Sequence, residues 1–242
     1  MRDLPLSFLL LAAILVSGVA MPQPPAQTAS QATPGAGEVP NVPRAPKPEA
    51  AKAMARAQEL LFRKNDAEAS IAEFKKVVRI DPWYAQGYLL LGVAYMQLER
   101  WSQAQLAFEE ATKVEPGNAQ AYLGLGSALN EQKDYLAAQK ALEHSLDLQP
   151  NSAEAHYELA RTLGALGKWQ AAEPHVRRAI ALNPDYPGSH ALMGNVYLER
   201  QDLESARKEF VIYLQMEPQG SLAEEARLKL KEIDELTSKP RR

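Results

Sequence analysis

The chain has 242 residues, 46% of them hydrophobic, which is enough to build a packed core and excludes a wholly disordered protein. Lys and Arg (27) nearly balance Asp and Glu (30), leaving a net charge of −3 and no strongly basic character to favour nucleic acid as a partner. The absence of cysteine excludes disulfides, cysteine-ligated metals, thiol nucleophiles and lipidation through sulfur, and only four histidines are left for metal or acid–base work.

Residues 1–20 open with Arg2, continue through an unbroken apolar run from Phe8 to Val16, and close on the small residues Gly18, Val19 and Ala20. This is the order of a secretory signal peptide, with cleavage expected before Met21. The alternative is an uncleaved anchor: Leu4 to Ala20 lies at the short end of the roughly 20 residues a membrane helix needs, and Pro5, Ser7 and Ser17 weaken it. Both readings place the remainder of the chain outside the cytoplasm, periplasmic or secreted. A membrane contact is expected only if this segment stays attached.

Residues 21–50 hold eight of the 17 prolines and no aromatic residue. Such a segment cannot bury enough apolar surface to offset its ordering entropy, so it reads as an extended, disordered tether.

From Ala51 a repeat takes over. Pro82, Pro116, Pro150, Pro184 and Pro218 recur at one constant interval, and Phe74, Phe108, Leu142, Val176 and Phe210 keep the same spacing. A fixed period in the range of roughly 20–50 residues predicts a solenoid in which each unit covers its neighbour's apolar face. The units are 51–84, 85–118, 119–152, 153–186 and 187–220. Within a unit, Leu91, Gly92 and Tyr95 share one helical face. Gly92, Gly126, Ala160 and Gly194 are small where a second helix is expected to cross. Ala104, Ala138, Ala172 and Ala206 are the matching small residues on that second helix. Each proline lacks an N–H and stops the second helix. Residues 221–237 lose the large–small signature but keep a stripe of Leu222, Ala226, Leu230 and Ile233, as a terminal capping helix would. Residues 238–242 read as a frayed basic tail. Pro174 falls inside a predicted second helix, where a bend is expected.

The series Tyr88, Leu91, Gly92, Tyr95, Ala104, Phe108, Ala111, Pro116 and its four partners resemble the tetratricopeptide repeat (TPR), a helix–turn–helix unit with the same period. The resemblance covers 51–220, most of the chain beyond the tether. It implies an all-α fold: ten repeat helices plus a cap, stacked as a right-handed superhelix with first helices lining a concave groove. Carried onto this chain, the groove positions are Gln86, Leu89, Val93, Met96 and Gln97 in the second unit. The third supplies Gln120, Leu123, Ser127, Asn130 and Glu131, the fourth Glu154, Tyr157 and Arg161, and the fifth Asn195, Leu198 and Glu199. Their mixture of apolar, amide and charged groups suits an extended peptide. Leu89, Leu123 and Tyr157 are expected to align as an exposed apolar strip, with Arg161 placed to meet an acidic group of the ligand.

The carboxylate clamp of chaperone-binding relatives is not assembled, since Leu89, Leu123 and Tyr157 occupy its later positions. The asparagine ladder of the glycosyltransferase type is replaced by Leu90 and Gly124. His156 and His190 fill the large first-helix position held by Tyr88 and Tyr122, which predicts packing rather than metal or catalysis. Trp101, Tyr135 and Trp169 share a register at the start of second helices and are expected to pack between repeats. No catalytic constellation, metal set or cofactor motif stands out. The expected activity is non-enzymatic: a scaffold for a protein or peptide partner, or a membrane-anchored assembly factor of an envelope, pilus or secretion complex.

Overall fold

In a computed structural model, residues 45–238 are described, so the expected signal segment, nearly all of the proline-rich tether and the last four residues lie outside the described part. Eleven helices follow in chain order: α1 (Pro48–Gln58), α2 (Ala67–Ile80), α3 (Ala85–Gln97), α4 (Trp101–Val114), α5 (Ala119–Glu131), α6 (Tyr135–Leu148), α7 (Ala153–Ala165), α8 (Trp169–Leu182), α9 (Pro187–Glu199), α10 (Leu203–Met216) and α11 (Ala223–Ser238). No strand occurs among the described residues. The first helix opens at Pro48, inside the expected tether, because a proline at the first helical position has its φ preset and needs no hydrogen-bond donor. Ala50 is already fully buried. Similarly, α11 includes Ser238, which the sequence assigns to the basic tail.

Helices pair within each repeat and each pair stacks on the next. First helices of successive repeats (α3 with α5, α5 with α7, α7 with α9) also touch one another, whereas second helices are held further apart. That asymmetry makes the first-helix side the short, concave side of the stack.

The crossing residues behave as their size requires. A Cβ on Gly126 would lie 2.4 Å from Leu142 Cγ, and one on Gly194 would lie 2.8 Å from Phe210. Phe108 is wedged between Gly92 of its own repeat and Gly124 of the next, with added Cβ atoms at 2.6 and 2.4 Å from its ring. The partner alanines 104, 138, 172 and 206 are completely buried.

Turns repeat as strictly as helices. Asn65, Glu99, Lys133, Gly167 and Gln201 all have φ between 52° and 70° and end the first helix of each repeat in the left-handed region. The next N–H reaches back to a carbonyl more than one turn earlier, as in Arg100 N to Tyr95 O and Lys168 N to Leu163 O. In the first repeat this end is wider, a π-helical turn over Glu59–Arg63. Asp66, Asn118, Asp134, Ser152 and Asp202 cap the following helices with side-chain oxygens.

Helix α8 runs through Pro174. The proline leaves the Gln170 carbonyl without its helical donor, and on this outer side of the stack water can replace that bond. At the other end of the stack, Tyr213 takes the place of Ala111, Ser145 and Ala179. It is fully buried and its hydroxyl accepts from Leu222 N at 3.1 Å, tying the cap to the last repeat.

Candidate peptide-binding groove

The concave side holds a cavity of about 750 Å³ between α7, α9 and the capping helix α11. Tyr157, Arg161, Asn195 and Glu131, all assigned to the groove by register, line it. So do Glu158, Trp101, Trp169, Ala165, Gly188 and, from the cap, Leu222, Glu225 and Lys229. Leu198 and Glu199 line an adjoining cavity that also reaches Lys229 and Ile233. Gln86, Gln120 and Glu154 are half-buried, and Glu154 accepts from Ser152 Oγ. Gln97 donates to Asn65 of the preceding repeat.

The remaining six expected groove residues are interior. Leu89, Val93, Met96, Leu123, Ser127 and Asn130 are all buried. Of the exposed apolar strip expected of Leu89, Leu123 and Tyr157, only Tyr157 faces the cavity. In the tightly curved stack the adjacent first helix already covers the two leucines, as shown by Leu123 at 4% exposure in one core cluster with Leu159 and Ala155.

Charge is also arranged differently from the expectation for Arg161. Its Nε and Nη2 donate to Glu158 Oε2 at 3.0 and 2.7 Å, and Nη1 donates to Glu131 Oε1 at 2.9 Å. Asn130 Nδ2 adds a third donor to the same Glu158 oxygen at 3.0 Å, and Thr162 Oγ1 donates to Asn130 Oδ1 at 2.9 Å. Burial opposes the guanidinium charge, but the Glu158 carboxylate, with Tyr157 and Glu131, outweighs it and raises the Arg161 pKa. Arg161 is thus held by its own chain.

Beside this network the Tyr157 and Tyr186 rings meet edge to face, centroids 4.7 Å apart. Burial pushes the Tyr157 hydroxyl up to about 12 and raises Tyr186 as well, so both stay protonated donors. Gly188 packs closely under this pair: a Cβ there would lie 3.0 Å from the Tyr157 oxygen, so the ring would have to give by a small shift.

Sequence reasoning passed over Glu158 and the cavity-facing role of the two tryptophans. A signal for Glu158 existed: its equivalents are Arg56, Leu90, Gly124 and Leu192, so it is the one carboxylate of its series. Trp169 also packs on Gly164, where an added Cβ would come within 2.7 Å of its ring. It therefore both seals its repeat and faces the cavity.

The histidines tie helices together. His156 Nε2 bonds the Pro150 carbonyl at 3.1 Å, which fixes that nitrogen as the donor, and its Nδ1 meets His175 Nδ1 at 3.0 Å. One repeat later His190 Nε2 bonds the Pro184 carbonyl at 3.1 Å, and its Nδ1 bonds Glu209 Oε2 at 2.8 Å. Among the described residues no group of three or more His, Cys, Asp or Glu is placed to hold a metal ion. No described helix is long and apolar enough to cross a membrane.

The chain matches a family model described as tetratricopeptide repeat over residues 89–153, 131–187 and 157–221, and a second described as TPR repeat over 59–99. No curated protein matches the chain. Among solved structures it is similar to MamA, at 25% identity and a TM-score of 0.60, covering 67% of this chain and 94% of that one. Pseudomonas aeruginosa PilF is similar at 19% identity and a TM-score of 0.67, with 78% and 84% covered. YrrB, a TPR protein described as having an unusual peptide-binding site, is similar at 22% identity and a TM-score of 0.59, with 74% and 92% covered. With its constant period, its glycine-seated helix crossings and these matches across residues 59–221, the chain belongs to the tetratricopeptide repeat family.

Proposed function

We propose that this protein is a non-enzymatic scaffold that holds an extended segment of a partner protein in its concave groove, and that it works outside the cytoplasm. One observation carries the binding reading: the cavity between first helices and cap, which is large enough for several side chains and is walled by aromatic and ionised groups together. The peptide-binding site ascribed to the similarly folded YrrB supports it. The export reading rests on the sequence of residues 1–20. A membrane-anchored assembly factor is the second reading, favoured by the apolar span from Leu4 to Ala20 if that span is retained.

The experiment is capture of a partner from envelope extract, with cross-linking to identify the bound segment. Ala165 is exposed and lines the cavity, so Ala165→Trp obstructs part of it without disturbing the core. Capture is expected to fall at least about tenfold, equivalent to roughly 1.4 kcal/mol. A control on a second helix, Leu136→Arg at a position 62% exposed, should leave capture unchanged. Undiminished capture by Ala165→Trp places the binding surface elsewhere.

A further inference from the structure

The cavity is acidic in sum. Glu99, Glu131, Glu158 and Glu225 line it against Arg161 and Lys229. Arg161 is engaged by Glu158 and Glu131, and Lys229, partly exposed and 3.9 Å from Glu232, is the one lining cation outside that network. Four carboxylates against two cations leave the lining net negative, which disfavours an acidic ligand.

A second observation points the same way. Glu158 is 3% exposed and lines the cavity, yet its two oxygens are treated unequally. Oε2 receives three N–H donors from Asn130 and Arg161, while Oε1 is buried and has no hydrogen-bond partner among the described residues. A carboxylate oxygen removed from water without a donor is costly, and a ligand that supplies one removes that cost.

We infer that this end of the groove takes an arginine or lysine of the partner segment, flanked by apolar residues. The cationic head meets the carboxylates of Glu158, Glu131 and Glu225. Its aliphatic stem lies along the aromatic walls of Tyr157 and Trp169, which accept both the stem and the charge. Acidic or phosphorylated segments are rejected by the same carboxylates. This specifies the occupant of the groove proposed above and rests on that reading.

The test uses the full chain and three dodecapeptide pools, each with Leu, Val, Ala and Ser mixed at the flanks and a central residue fixed as Arg, Gln or Glu. By fluorescence polarisation the Arg pool should bind about tenfold more tightly than the Gln pool, with the Glu pool weakest and the preference shrinking as salt rises. Glu99 and Glu225 are exposed, so the double variant Glu99→Lys/Glu225→Lys can be compared at equal melting temperature. It should reverse the preference toward the Glu pool. Equal binding of all pools, or a preference untouched by the charge reversal, overturns the cationic occupant. If Ala165→Trp nonetheless abolishes that equal binding, the groove reading stands. Failure of all three pools overturns the inference, and combined with undiminished partner capture by Ala165→Trp it overturns the groove as well.

Discussion

Arg161 Nη2 donates to Glu158 Oε2 at 2.7 Å across one turn of α7. This pair turns a side chain that register alone would offer to a ligand into part of the groove floor. Arg161→Ala would leave the Glu158 carboxylate buried with Asn130 as its remaining donor. Breaking a buried pair from one side costs roughly 3–5 kcal/mol. Because Arg161 keeps 34% of its side-chain surface, the low end of that range is expected. Arg161→Lys should recover only part, since an ammonium lacks the fork that reaches Glu158 and Glu131 together. Urea denaturation at constant m-value measures both; an Arg161→Ala protein as stable as the wild type would show the network carries little.

Gly126→Leu and Leu123→Glu should both destabilise the fold, through opposite faults. At Gly126 the new side chain collides with Leu142, at a cost of about 1–3 kcal/mol or more. Leu123→Glu buries an unpaired carboxylate, on the order of 3 kcal/mol. At this chain length each kcal/mol lowers Tm by roughly 2–4 °C. An unchanged melt for Gly126→Leu would contradict the helix crossing.

Gly167 holds φ at 70°, a region its equivalents Glu99, Lys133 and Gln201 enter with side chains. A non-glycine residue there costs roughly 1–2 kcal/mol, partly offset by lower unfolded-state entropy. Gly167→Ala should therefore lose about 1 kcal/mol, and Lys133→Gly should gain a few tenths to about 1 kcal/mol. Thermal melts of the two variants should shift in opposite directions.

The two histidine clips should respond to pH with opposite signs. Burial lowers the pKa of His156 and of His175, so protons bind the unfolded chain more readily; their contribution is present above the ordinary histidine pKa of 6.5 and is lost as pH falls below it. The hydrogen bond to Glu209 raises His190, so its contribution is full below 6.5 and disappears as pH rises through the raised value. The third repeat carries Ala141 where the fourth has His175. His175→Ala should thus flatten the acid limb of a Tm–pH curve, and His190→Gln should steepen it. Parallel curves for wild type and both variants would contradict these assignments.

Export should leave its mark on the mature chain. Mass spectrometry of protein from its native envelope is expected to give an N-terminus near Met21. A full-length species that needs detergent would support the anchored form, and cytoplasmic protein with Met1 intact would contradict both.

The repeat architecture was legible because it is written locally and repeatedly: five prolines at one constant spacing, Gly126 opposite Leu142, and alanines at the crossings of the second to fifth units, with Ser70 in the first. Those residues are fixed by steric demands that recur from unit to unit, so register alone places them. The turn at Asn65, Glu99, Lys133, Gly167 and Gln201 was not legible, since only one of the five is the glycine that would announce a left-handed residue. The groove was legible in outline only. Register put Tyr157, Arg161 and Asn195 on its wall, but whether a first-helix residue meets solvent or its neighbouring helix depends on how tightly the stack curves. That curvature buried Leu89 and Leu123, brought Glu131 of the preceding repeat within reach of Arg161, and set the cap's Glu225 and Lys229 across from α7. Sequence period determined which residues face one another inside a repeat; the balance of charge in the groove was decided by contacts between repeats, which only the tertiary stack creates.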